Sequence, residues 1–358
     1  MNEELKVLEE LTNLYGPSGN EEEVKSYLVK AYKELGLEVL KDPFGNVYGL
    51  KKSKKENAKK VLVISHMDEV GFMVRKILPN GSVMVNPLGG FNSETILSNR
   101  AILKNSEGKK FYGSVCALPP HLLKGNSSNE KTPISNMVFD FGFTSINDAR
   151  NNGVEIGDSI ILEGNFALIN ANKRILAKAI DDRYGLSASL LAMKKLLNYE
   201  LDYDLYIGGV CQEEVGLRGS LCAANYIKPD FAIILDVSAA YDTDGNTSEF
   251  GRLGEGVLIR VLDSNMIARK DIIKFQKECL DKVNVPYQYF ISPGGTDAGS
   301  IHKSLSGIPT MTYCLVARNI HSCSSILDVN DYLNSIKGLN KILTSLNDNN
   351  IKKFKFEL

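Results

Sequence analysis

The positions of this chain that can do chemistry form a small set. His66 and Asp68 follow the apolar run 61–64, Asp181 and Asp182 open a helical segment, Glu213 and Glu214 stand side by side after "LYIGGVC", Asp236 closes "FAIILD", and His321 follows "PTMTYCLV". The chain has four histidines, and two of them belong to this set. Carboxylates mixed with imidazoles, with no thiolate pattern beside them, suit divalent metal ions such as zinc, cobalt or manganese. A dinuclear centre needs a bridging carboxylate, plus one imidazole and one carboxylate for each ion. Asp181 can bridge, His66 and Asp236 can serve one ion, and His321 and Glu214 the other. Such ions acidify bound water and polarise a carbonyl, which leaves one need: a group that takes and returns a proton. Glu213 is free for that. Asp68, two residues beyond His66, is placed to orient that imidazole. Neighbouring side chains of extended backbone point to opposite sides, so Glu213 and Glu214 at a strand end are expected to reach different partners.

Each residue also has a plainer role open to it. An Asp at a strand end is often a turn or helix-cap residue. The conjunction decides for chemistry, because open α/β sheets bind ligands at the carboxyl ends of their strands and the whole set arrives there. His121 and His302 stand apart from it and read as imidazoles satisfied by ordinary hydrogen bonds. In "GGTDAG" (294–299), Gly295, Thr296 and Asp297 either hold substrate or form a glycine turn with a helix-capping Asp; the two readings are nearly balanced.

The elements that must position these residues follow from periodicity. "ELKVLEELTNLYGPSG" carries Leu5, Leu8, Leu11 and Leu14 at helical spacing and stops at Gly16-Pro17. A second helix follows, with Ser18 or Asn20 as its cap and Glu21 to Glu23 in its first turn. The continuous apolar run 61–64 suits a strand covered on both faces. From Gly71 to about Asn172 the pattern changes to short β-branched stretches divided by turns such as Asn80-Gly81 and 106–108, with no convincing amphipathic helix. Helices and strands alternate again afterwards, ending in a helix from about Val329. The expected fold is α/β, with a mixed, largely parallel sheet flanked by helices. A discontinuous catalytic domain (1–67 and 173–358) is interrupted by a small β-barrel-like insertion (68–172).

Composition narrows the function class. The 358 residues are 43% hydrophobic and 24% charged, which suits a folded soluble chain. The 42 basic and 43 acidic residues are well mixed, so no electrostatic footprint for nucleic acid exists. No apolar run reaches membrane-spanning length and no basic region with a following apolar stretch opens the chain, so a cytoplasmic location with no membrane partner is expected. The six cysteines form no CxxC pair and sit mostly in apolar segments, as buried thiols do.

Taken together, "SHMDEVGFMV" (65–74), "KAIDDRYG" (178–185), "CQEEVGLRG" (211–219), "ILDVS" (234–238), "GGTDAG" (294–299) and "IHS" (320–322) resemble the motifs of the tetrahedral, or glutamyl and deblocking, aminopeptidases. The resemblance covers nearly the whole chain, in the right order, with the β-rich block between the first motif and the second. It implies a zinc-exopeptidase-like catalytic domain holding two divalent ions per subunit, zinc or cobalt first and manganese next. Its metal ligands would be His66, Asp181, Glu214, Asp236 and His321, its general base Glu213, and Asp68 would orient His66. It also implies a cis peptide between Asp181 and Asp182. Where relatives often continue after the His-Ser pair with Pro and a nearby Glu, this chain has Cys323, Ser324 and Ser325, which bears on side-chain preference. The implied activity is removal of the N-terminal residue from short peptides. The implied assembly is a homo-oligomer in which the insertion makes a dimer contact and dimers build a dodecamer. A related dinuclear amidohydrolase, acting as a deacylase or carboxypeptidase, is the enzymatic alternative, and a non-catalytic oligomeric scaffold is the alternative from another class.

Overall fold

The structure is a computed structural model and describes residues 2–119, 131–245 and 251–356; His121 lies outside the described residues. Helices α1 (Glu3–Asn13) and α2 (Glu22–Glu34) precede strands β1 (Glu38–Lys41), β2 (Val47–Lys51) and β3 (Lys59–His66). Strands β4 (Gly71–Ile77), β5 (Val83–Leu88), β6 (Arg100–Lys104), β7 (Lys110–Val115) and β8 (Val138–Asp140) follow, then helix α3 (Ile146–Asn151) and strand β9 (Ser159–Leu162). Strands β10 (Ala167–Ile169) and β11 (Arg174–Ala177) lead into helix α4 (Ile180–Leu196). The remainder is β12 (Tyr203–Val210), α5 (Arg218–Ile227), β13 (Phe231–Ala239), β14 (Val257–Leu262), α6 (Lys270–Asp281), β15 (Tyr287–Ile291), α7 (Ala298–Ile301), β16 (Thr310–Ala317), β17 (Ser325–Asp328), α8 (Val329–Ser345) and α9 (Asp348–Phe354).

Among the described residues the main sheet has the order β1-β2-β12-β3-β13-β16-β14-β15. The central strands β12, β3, β13 and β16 run parallel, while β1 and β2 are antiparallel at one edge and β14 is antiparallel to β16. The sheet is therefore mixed and largely parallel, as expected. Period-two alternation sends the apolar side chains to both faces. Val61 and Val63 of β3 pack into the cluster that includes α1, α4 and α8, whereas Leu62 and Ile64 pack against Ala223 and Ile227 of α5 and Ala298 and Ile301 of α7. Burying each such side chain contributes about 1.5–3 kcal/mol, and this double-sided burial is why the strands read as continuous apolar runs.

Strands β4 to β9 close a barrel in the order β4-β5-β8-β7-β6-β9 around its own core, which includes Phe72, Val85, Leu103, Phe139 and Ile160. The Asn80-Gly81 turn lies between β4 and β5, with Gly81 at φ 89°. A third sheet, β10-β11-β17, ties the segment after the barrel to the strand that precedes α8.

Several local expectations need correcting. The β-rich block contains helix α3, capped by Ser145 Oγ, which accepts from Asp148 N at 3.1 Å; six residues are too few to develop an apolar period. Helix α2 is entered through Glu21 without a side-chain cap, and neither Ser18 nor Asn20 has that role. Helix α8 begins at Val329 as expected but is followed by α9. Asp236 does not end its strand, since β13 continues to Ala239.

Candidate active site

The site assembles toward the carboxyl ends of β3, β12 and β13, where His66, the turn after Val210 and Asp236 lie. His66 is the last residue of β3 and is 2% exposed. Its Nε2 lies 3.0 Å from Asp181 Oδ1, and its Nδ1 lies 2.9 Å from the Asp68 carbonyl. That carbonyl accepts from Nδ1–H, which turns Nε2 toward the site. His321, at φ 58° in the loop after β16, is held in the same sense: its Nδ1 lies 2.8 Å from the Gly90 carbonyl. Its Nε2 is 3.5 Å from both Asp181 Oδ2 and Glu214 Oε1. Asp181 thus stands between the two imidazoles, one oxygen toward each, at the entrance to α4. The Asp181–Asp182 peptide is cis.

Glu213 and Glu214 sit in a turn, and this corrects the expectation of an extended strand end. β12 stops at Val210, Gln212 takes φ 58°, and Gly216 N and Leu217 N both donate to Glu213 O, at 2.9 and 2.8 Å. The turn, and not strand alternation, separates the two carboxylates. Asp68 holds it. Its buried carboxylate accepts from Glu213 N at 3.0 Å, Glu214 N at 3.2 Å and Ser18 Oγ at 2.6 Å. Its Oδ1 also lies 3.6 Å from His66 Nδ1, within ion-pair distance, so the side chain serves both the turn and His66 while the 2.9 Å hydrogen bond to that ring comes from the Asp68 main chain.

Ligand atoms of His66, Asp181 and Glu214 all lie within 4.8 Å of one another, a group that could hold a metal ion. Asp236 lies outside that group; its Oδ1 accepts from Val237 N at 2.6 Å. Burial, first, and the charges of neighbouring acids push the carboxyls of Glu213, Asp236 and Asp182 well above the ordinary range. Glu214 is pushed up to about 7 for the same reasons. Burial acts the same way on Asp181, but hydrogen bonds from His321 and His66 outweigh it and hold the group below its usual value. For His321, burial opposes the charged form, yet the bond to Asp181 and the charge of Glu214 raise it to about 9. Several buried acids that raise one another's proton affinity, with the Nε2 atoms of two imidazoles aimed among them, match the donor set that divalent ions take.

The "GGTDAG" segment joins β15 to α7. Asp297 is 1% exposed and makes no side-chain cap bond to α7, so the capping alternative does not hold. Burial raises its carboxyl to about 6, and its Oδ1 has no hydrogen-bond partner among the described residues. Thr296 is buried and its Oγ1 accepts from Ala298 N at 3.2 Å. A Cβ on Gly295 would lie 2.1 Å from Asn265 Nδ2, so a larger residue there would have to displace that side chain. Outside the site, His302 behaves as expected, its Nδ1 lying 2.9 Å from the Ala298 carbonyl.

The sequence reading missed a cationic brace beneath the site. Lys178 Nζ donates to both oxygens of Glu69, at 2.8 and 2.9 Å, and to Leu14 O at 2.7 Å, which uses all three of its N–H groups. Fully buried Arg183 donates to Met67 O at 3.0 Å, Leu11 O at 2.8 Å and Glu69 Oε1 at 3.3 Å. Both cations flank Asp181-Asp182 in the chain, and Glu69 follows Asp68. The signal was Lys178 and Arg183 on either side of the Asp181-Asp182 pair. The contribution of Gly90 had no signal, since a main-chain carbonyl looks the same in every residue. Glu69, Phe91, Lys178, Asp181, His321 and Cys323 are among the residues lining one cleft, so the departure after His321 falls in its wall.

Residues 45–337 match the M42 glutamyl aminopeptidase family, and the chain belongs to that family. It is 38% identical over 346 residues to the glutamyl aminopeptidase of Lactococcus lactis subsp. cremoris, covering 96% of this chain and 97% of that one. It is similar in structure to a TET aminopeptidase from a marine sediment Thaumarchaeota archaeon, with a TM-score of 0.93 at 29% identity over 99% of this chain and 100% of the other. It also resembles the Pyrococcus horikoshii TET1 peptidase, which can assemble into a tetrahedron or a large octahedral shell, with a TM-score of 0.86 at 25% identity over 96% and 100% of the two chains. The protein is an aminopeptidase, a hydrolase of peptide bonds.

Proposed function

We propose that the chain removes N-terminal residues from short peptides in a metal-dependent reaction, and that Glu213 is its general base. The observation that carries the reading is the convergence of His66, Asp181, His321 and Glu214. In this reading His66 and Asp236 would hold one divalent ion and His321 and Glu214 the other, with Asp181, which stands between the two imidazoles, serving both; zinc or cobalt is the first expectation and manganese the next. Two such ions would polarise the scissile carbonyl and acidify the attacking water. Glu213 takes the proton of that water and returns it to the leaving amine. Asp68 keeps Glu213 and Glu214 in register through their amides, and the carbonyls of Asp68 and Gly90 hold the imidazoles with Nε2 inward. Asp297 faces the same group of acids from the α7 side and contributes to holding the substrate's free amine; Thr296 and Gly295 shape the turn that presents it.

The division into a discontinuous catalytic domain (1–67 and 173–358) and an inserted domain (68–172) belongs to this proposal. The closed barrel of β4 to β9 and its separate core support it. We also take the protein to form a large homo-oligomer in the cytoplasm, as its family likeness suggests. Among the described residues, no helix is long and apolar enough to cross a membrane.

The test is a panel of free-amine and N-acylated aminoacyl reporters, assayed with added zinc, cobalt or manganese. Cleavage of free-amine reporters only, abolished by a chelator, is expected. Cleavage of acylated reporters only would replace this reading with a deacylase, and cleavage of neither with a scaffold. Light scattering that reports a monomer at micromolar concentration would overturn the oligomer.

A further inference from the structure

The loop 16–21 between α1 and α2 is spent almost entirely on the site. Gly16 O accepts from Glu69 N at 2.9 Å, and Ser18 Oγ donates to Asp68 at 2.6 Å. Glu21, 4% exposed, directs Oε1 to two amides: Gly19 N at 2.8 Å in its own loop and Gln212 N at 3.2 Å across the interface. Three consecutive amides, those of Gln212, Glu213 and Glu214, are therefore gripped by buried carboxylates from two other segments, Glu21 for the first and Asp68 for the other two. Gln212 is the pivot at which the chain leaves β12, and its φ of 58° is a conformation that a side-chain-bearing residue holds only when its surroundings impose it. Arg218 holds that pivot from its own turn, donating to Gln212 O at 3.2 Å and Gln212 Oε1 at 3.1 Å, and the Glu21 bond is the contact on its amide from another segment. The side chain of Glu21 makes no hydrogen bond to the α2 helix that it begins, so helix capping does not account for it.

We propose that Glu21 is a positioning residue: through the Gln212 amide it sets the direction in which Glu213 and Glu214 leave the strand, and so the placement of the general base. The inference rests on the reading of Glu213 as that base. It assigns the N-terminal loop a role in turnover, although the loop contributes no group to the reaction.

The test uses the full-length, metal-loaded oligomer with three substitutions. Glu21→Gln keeps an oxygen that can accept both amides; Glu21→Asp keeps the charge but is one methylene too short to reach; Glu21→Ala removes the acceptor. Outer partners of metal sites typically act at about 10–100-fold. The expected result is kcat lowered by about tenfold or more in Glu21→Asp and Glu21→Ala with KM within about twofold, and kcat within about threefold of wild type in Glu21→Gln. Metal content by elemental analysis and the melting profile serve as independent readouts, and Glu21→Asp retains the comparison if Glu21→Ala does not fold. Wild-type kcat in Glu21→Asp, or a Glu21→Gln variant as impaired as Glu21→Asp, overturns the proposal. Glu213→Gln, assayed in parallel, separates the two readings. If Glu213→Gln turns over normally, the general base is wrong; if Glu213→Gln is inactive while Glu21→Asp is normal, only the positioning role fails.

Discussion

Asp68→Asn exchanges one oxygen for an NH2 group and tests how the site holds its glutamate turn. The carboxylate is fully buried and accepts three bonds: Oδ1 takes Glu213 N, while Oδ2 takes both Glu214 N and Ser18 Oγ. Asparagine keeps only one acceptor oxygen. If that oxygen faces Glu213, the Ser18 hydroxyl can turn round and accept from the new NH2 group, but the Glu214 N–H can only donate and is left facing a donor. In the other orientation the Glu213 amide is orphaned. Either way one buried amide goes unpaired, at a cost of about 1–3 kcal/mol. The 2.9 Å hydrogen bond to His66 is made by the main-chain carbonyl and is kept, while the 3.6 Å ion-pair contact loses its charge. We therefore expect Asp68→Asn to fold and to bind metal as the wild type does, with kcat lowered about 10–100-fold, the range for a lost outer partner. Steady-state kinetics on a free-amine reporter, elemental analysis and a melting curve measure the three quantities. Wild-type kcat with an unchanged melting temperature would refute the anchoring role. Loss of metal would show instead that the carboxylate works through His66.

Three further outcomes are expected. Glu213→Gln should retain metal and lose at least about a hundredfold in kcat, as removal of an acid/base group does; near-normal turnover would remove Glu213 from that role. Asp181→Ala, which removes the carboxylate lying between His66 and His321, should release metal on dialysis, and full metal content by elemental analysis would contradict the bridging assignment. Away from the site, burial raises the Asp331 carboxyl from its ordinary 3.8 to about 6, although Gly254 N and Gly256 N donate to it. A carboxyl with a raised folded pKa adds stability below its unfolded pKa and loses it as pH rises through the folded value. The stability of the wild type relative to Asp331→Asn should therefore fall between about pH 4 and pH 6, by about 3 kcal/mol. A constant difference between the two melting temperatures across that range would refute this.

Much of the scaffold was legible because its signals are local. The run 61–64 reads as a doubly covered strand because α4 and α5 cover its two faces, and Leu5, Leu8 and Leu11 mark the buried stripe of α1. Where the signal was short it failed: α3 has six residues and β17 has four, below the length at which a period declares itself. Ser18 shows a different limit. Its hydroxyl suits a helix cap, and only the fold places Asp68 nearer to it than the α2 amides.

By itself the sequence determined which residue types arrive at one edge of a parallel sheet, because strand direction and apolar patterning are properties of neighbours along the chain. It therefore made His66, Asp181, Glu214 and His321 candidates together and set Glu213 beside them. The tertiary structure decided how those groups are aimed. The Gly90 and Asp68 carbonyls select the free nitrogen of each imidazole, Lys178 and Arg183 brace the segment around Asp181, and Asp68 and Glu21 grip the turn at 212–214. These are hydrogen bonds between segments far apart in the chain. Their donors and acceptors are ordinary main-chain groups and common polar side chains, and nothing in their local sequence marks them until folding brings them within bonding distance.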